Sequence, residues 1–173
     1  MAEELNGLRP DKINEILNSL KDPDVKKAVS GPWRSRVKWE SGFKGKAYTR
    51  THTVELDEPE GLDATDTAAS AHEHILSAVG GCMMVGFVLN ATKRGIKLND
   101  LEIALEGHFD NILKWAGLDD GNPGYGKINA KVYVSSDADE DALREVWKLA
   151  VEGSPVANTV ARATEIVPEF EKV

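Results

Sequence analysis

Cysteine is almost absent from this sequence: among its 173 residues there is one, Cys82. A lone thiol cannot close an internal disulfide. That suits a reducing compartment, and any redox chemistry has to recruit a second thiol from outside the chain. Basic charge is scarce too, with 21 Lys and Arg against 29 Asp and Glu, a net −8 and a pI near 5.0. This argues against nucleic acid as a partner, because neutralising phosphates needs a basic stripe. The one local basic excess, Lys21 to Lys46, is interleaved with acids and aromatics and reads as a solvated face. Long apolar runs are missing as well. The longest, Ile75 to Leu89, holds three glycines and falls short of the ~20 residues of a bilayer span, so no membrane partner is expected. The stretch Met1 to Asn6 is acidic and lacks the apolar core of a signal peptide, and the expected location is the cytoplasm.

The rest of the composition is that of a soluble globular chain, 41% apolar and 29% charged, long enough for one domain with its own core. Residues 1–30 read as a helical arm and 31–173 as the domain. In the arm, Ile13, Ile16, Leu17 and Leu20 follow helical spacing after Pro10, and Asp22-Pro23 breaks the helix and starts another. The arm has one apolar face, whose expected cover is a partner subunit. From Trp33 to Leu56 the pattern turns to strands. Arg36 to Trp39 alternates, and so does a run through Tyr48, Arg50, His52 and Val54, with a turn between Gly42 and Gly45. Asp57 to Ala69 reads as a solvated acidic loop.

The strongest helix spans about Ala71 to Arg94. Ser70 and Glu73 supply an S-x-x-E capping box, and Gly95 a left-handed stop. Its middle is apolar all round, which predicts a central helix covered on every face. Leu98 to Phe109 and Lys127 to Ser135 alternate as strands, on either side of a long connection. Asp137 and Glu140 suggest a second capping box for a helix to Glu152. Ser154-Pro155 starts a short helix through Val160, and Ala163 to Phe170 is expected to close as a strand. The fold class is therefore α+β.

Cys82 sits mid-helix between Gly80-Gly81 and Met83-Met84. Free cysteine is among the most buried residue types and often only packs, whereas reactivity needs an electropositive, partly open setting. Both readings stand at this point. Ser154 before Pro155 is an ideal helix start. Glu73 can reach back to the Ser70 amide. It lies nine positions from Cys82, on nearly the opposite side of a straight helix and ~13 Å along it, so the two meet only across subunits or around a bend. His72 and His74 are ~200° apart on the helix and cannot chelate one ion together, so no metal is expected.

The order of motifs resembles the OsmC/Ohr superfamily (osmotically inducible protein C-like). It runs through Arg50-Thr51-His52, Leu56-Asp57-Glu58-Pro59, the stretch from Glu73 to Gly80-Gly81-Cys82, Arg94-Gly95-Ile96, Ser136 to Asp139, and Ser154-Pro155-Val156 with Asn158-Thr159-Val160. The resemblance covers about Trp33 to Phe170. It implies curved antiparallel sheets wrapped around two central helices in an intertwined homodimer, with thiol sites at the interface and no cofactor. It also implies reduction of organic hydroperoxides, in which one cysteine attacks the O–O bond and a second resolves the sulfenic acid. Cys82 matches the first cysteine, Ser154 stands at the second, Glu73 matches the acidic partner, and Arg50 is the candidate arginine. An external thiol would then resolve the sulfenic acid, and Met83, Met84 and Phe87 would form the apolar substrate pocket. The alternative is a non-peroxidase dimer that binds a small apolar or thiol ligand in its interface cleft.

Overall fold

The computed structural model describes residues 4–172 as a mixture of five α-helices and two small antiparallel sheets. The chain divides at Ser77/Ala78 into two compact units.

In the first unit, α1 (Pro10–Ser19) and α2 (Pro23–Val29) each open with proline. The Asp22 carboxylate caps α2 by accepting the amides of Asp24 and Val25. Neither helix has a buried residue. β1 (Arg36–Ser41), β2 (Lys44–Thr49) and β3 (His52–Leu56) form a meander, with Lys46 placed 2.9 Å from Glu55 and 3.6 Å from Glu40 on its flanking strands.

The alternating run through Tyr48, Arg50, His52 and Val54 is not one strand. Thr49 pairs with His52, so Arg50 and Thr51 are the turn of a hairpin, and Arg50 takes a left-handed φ of 55°. An arginine in that region strains its backbone by roughly 1–2 kcal/mol, and no period-two pattern signals it.

The loop after β3 also differs from its expected solvated form. Asp57 is buried. Its Oδ2 accepts the Thr65 hydroxyl at 2.6 Å and the amide and hydroxyl of Thr67 at 3.0 Å, and its Oδ1 accepts the Glu58 amide. The Thr65 hydroxyl, then the Thr67 amide, hold this carboxyl far below its ordinary 3.8. A carboxylate depressed in the folded state stabilises the fold above its unfolded value, and that contribution is lost as pH falls through the folded value. The melting temperature is therefore expected to fall as pH drops below about 4. Asp57→Asn should lower it by about 5 °C or more at neutral pH and flatten the acid slope, as followed by circular dichroism.

α3 (Ala71–Lys93) leads into the second unit. It ends as its sequence dictates: Gly95 is left-handed at φ 71°, its amide donates to Thr92, and the Ile96 amide donates to Ala91. Its 23 residues, with an 18-residue stretch of mean hydropathy 1.7, exceed the apolar run that suggested it and meet the length and apolarity of a bilayer span. Its packing is that of a core helix, with Val79, Met83, Phe87 and Ala91 buried at four-residue intervals.

β4 (Asp100–Phe109) and β5 (Tyr125–Ser135) make the second sheet, and α4 (Glu140–Glu152) packs beside it. The core joins Phe87 and Ala91 to Val146 and Ala150 of α4, with Leu101, Val132, Val134 and Trp147 around them. Gly86 permits this approach, because a Cβ there would lie 3.2 Å from the Ala150 Cα.

Two expectations fail in this unit, and a third is met on one side of a helix. α4 starts at Asp139 with no side-chain cap, while the Ser136 hydroxyl donates to Lys97 O and accepts the Ala138 amide, so the second capping box does not form. Within one chain β4, β5 and α4 cover one side of α3, and Val85 on its other side is 61% exposed. Among the described residues 163–170 belong to no strand, and Ile166 is 86% and Phe170 93% exposed.

Candidate functional site

The second unit holds the thiol. Cys82 is half-buried on the flank of α3, between its core face and its exposed face. Beside it Gly81 has open space where a Cβ would stand, whereas a Cβ on Gly80 would strike Leu105. Ser154 is buried and caps α5 (Pro155–Ala161), its hydroxyl accepting the Ala157 amide at 3.1 Å. Asn158 reinforces this start by donating its side-chain amide to the Ser154 and Glu152 carbonyls.

The same unit holds a cleft of about 450 Å³ lined by Val79 and Met83 of α3 and by Ile128, Ala130, Val151, Ala157 and Val160, and Cys82 is not among its lining residues. Of the three residues expected to form an apolar pocket, only Met83 lines it. Met84 faces outward, and Phe87 is fully enclosed, its ring 6.5 Å from Trp147. The reason is helical phase: Phe87 follows Met83 by four positions into the α4 contact, while Met84 is rotated ~100° away.

The first unit holds the acidic candidate. Glu73 Oε2 accepts the Ser70 amide at 2.8 Å and the Ser70 hydroxyl at 2.7 Å. This is half of the expected capping box: the carboxylate reaches back, but the serine hydroxyl points to it instead of accepting an amide. The Ser70 hydroxyl also meets His72 Nε2 at 3.1 Å. The Ser70 hydroxyl and amide hold the Glu73 carboxyl below the ordinary range. His74 turns away to the Glu55 carbonyl at 3.1 Å. Arg50 stands in its hairpin turn, exposed. α3 continues as helix through Gly80 and Gly81.

In the sequence Ser70 reads only as a helix cap and His72 only as half of a rejected metal pair, and their contact with each other is not foreseen. Asp57 was misread for a different reason, since its donors lie eight and ten positions downstream.

The OsmC-like protein family model matches residues 64–169, more than half of the chain. The chain belongs to the OsmC-like family. Among solved structures, this OsmC-like chain is similar to an OsmC-like protein from Mycoplasma pneumoniae, with 19% identity and a TM-score of 0.65 over 76% of this chain and 88% of that one. It is similar to an OsmC-like protein of unknown function from Vibrio cholerae, with 13% identity and a TM-score of 0.63 over 75% and 93%. An organic hydroperoxide resistance protein OsmC from Legionella pneumophila gives 14% identity and a TM-score of 0.57 over 75% and 90%. At such identities the likeness is one of fold. A search among curated proteins finds no match.

Proposed function

We propose that this OsmC-like protein reduces organic hydroperoxides through Cys82, with an external thiol as reductant. The observation that carries the reading is the half-buried position of the one cysteine on α3, in a fold shared with hydroperoxide resistance proteins. The thiolate attacks one oxygen of R–O–O–H, the O–O bond breaks, and the alcohol leaves with a proton while sulfur becomes a sulfenic acid. A thiol R′SH then condenses with it, releasing water and forming a mixed disulfide, and a second R′SH restores Cys82 and leaves as R′SSR′. The capped hydroxyl of Ser154 has no part in this resolution. Glu73 and Arg50 are the supporting pair in this reading, supplied to Cys82 from a second copy of the chain.

A homodimer is part of the same proposal. It is supported by the exposed face of α3 with Val85, by Gly81 with open space where a mid-helix glycine costs roughly 1 kcal/mol, and by the unpaired segment 163–170. The cytoplasm is its proposed location.

The test is one equivalent of cumene hydroperoxide followed by dimedone trapping and intact-mass analysis, with light scattering on the same sample. A dimedone adduct on Cys82, thiol-linked turnover and a two-chain mass are expected. No adduct and no turnover would sink the peroxidase reading, and a one-chain mass at micromolar concentration would sink the dimer. The apolar cleft of about 450 Å³ favours one alternative, a binding protein for a small apolar or thiol ligand. Saturable binding of cumyl alcohol without any adduct would select it.

A further inference from the structure

The contacts of Ser70 have a direction. Its side chain is buried, and its hydroxyl lies 2.7 Å from Glu73 Oε2 and 3.1 Å from His72 Nε2. A carboxylate can only accept, so the hydroxyl proton points to Glu73. The hydroxyl oxygen is then an acceptor towards His72, and Nε2 of His72 carries the proton that it donates. The result is an ordered chain, His72 Nε2–H to Ser70 Oγ–H to Glu73 Oε2, with the Ser70 amide as a second donor on the same oxygen at 2.8 Å. Helix capping alone requires neither the reversed hydroxyl nor the imidazole. Two donors converging on one oxygen fix the plane of the carboxylate, and the exposed side chain of Glu73 leaves Oε1 as its outward acceptor. The neighbouring polar groups have other partners: His74 meets the Glu55 carbonyl, and the Glu55 carboxylate meets Lys46.

We propose that Ser70 and His72 are positioning residues that hold Glu73 in one orientation, so that Oε1 presents a fixed acceptor to the cation supporting the Cys82 thiolate. The proposal rests on the role given to Glu73 above. Its test combines nitrogen-15 histidine and carbon-13 glutamate spectra with the second-order rate of Cys82 sulfenic acid formation, in the full-length wild type and in Ser70→Ala, Ser70→Thr and His72→Gln. His72 is expected as the Nε2–H tautomer. Ser70→Ala should raise the pH at which Glu73 titrates and slow sulfenic acid formation by about tenfold or more. Ser70→Thr, which keeps a hydroxyl, and His72→Gln, which keeps a donor, should recover most of the rate. An Nδ1–H tautomer would overturn the ordered chain. A Ser70→Ala protein that is less stable but reacts at the wild-type rate would reduce Ser70 to a cap and overturn the positioning role alone. A wild type that forms no sulfenic acid, with the tautomer and titration as expected, would locate the failure in the peroxidase reading and overturn the proposal with it.

Discussion

Cys82→Ser is expected to abolish thiol-linked consumption of organic hydroperoxide, by a factor on the order of 10³ or more, while the protein still folds and assembles. The size follows from the chemistry: no other residue of the chain is a thiol, and a serine hydroxyl at neutral pH attacks an O–O bond too slowly to register. Folding should survive because the side chain is half-buried on the flank of α3 and is not part of the core formed by Phe87, Ala91, Val146 and Ala150. The measurement is peroxide loss with dithiothreitol as reductant, beside circular dichroism of the same sample. A mutant with the wild-type rate would show that Cys82 only packs. Ser154→Cys is the informative companion. It gives up the hydroxyl that accepts the Ala157 amide, a loss of roughly 1 kcal/mol, and supplies a second thiol where the proposed reading places the missing resolving cysteine. After one equivalent of peroxide it should yield an internal disulfide, where the wild type yields a sulfenic acid or a mixed disulfide.

Phe87→Ala is expected to cost about 3–5 kcal/mol of stability. Its ring is fully enclosed between α3 and α4, with Trp147 alongside and Ala150 held close by Gly86. Truncation leaves a cavity that surrounding backbone cannot close, and for a chain of this length the melting temperature should drop by about 10 °C or more. Met83→Ala removes a side chain from the lining of the cleft, and in the peroxidase reading it should alter selectivity among hydroperoxides. Phe87→Ala should not alter that selectivity in the fraction that remains folded. Thermal melts and a comparison of cumene with tert-butyl hydroperoxide separate the two. A Phe87→Ala protein with unchanged melting and altered selectivity would return Phe87 to the pocket.

The parts of this fold that were legible in the sequence are those decided by neighbours along the chain. Glu73 reaching back to the Ser70 amide and Gly95 as a left-handed stop bound α3 within one turn each, and β4 and β5 were visible because their residues alternate between exposed and half-buried. What escaped depends on groups far off in sequence. Arg50 accepts a left-handed turn because the pairing of β2 with β3 requires one there, and residue type does not announce it. Asp57 is buried because Thr65 and Thr67 come back to it. Residues 163–170 alternate as a strand does, but an alternating pattern cannot supply the edge on which a strand must pair. At the candidate site, Cys82, Ser154 and the reach of Glu73 to Ser70 were readable. That Met83 meets the cleft and Phe87, one turn further along the same face, meets the core was not, because it is set by where α4 lies.

The unpaired segment near the C-terminus has a further consequence, for the solubility of a newly made chain. An exposed run with Ile166, Val167 and Phe170 is the kind of sequence that adds edge to edge into aggregates. Here the apolar stretch is only two residues long before Pro168 interrupts it, and Glu165, Glu169 and Glu171 stand between and around the hydrophobic positions. Proline removes a ladder donor, and like charges repel stacked copies. Pro168 and these glutamates oppose edge-to-edge addition of the open segment. Replacing Pro168 and the glutamates would be expected to promote precipitation.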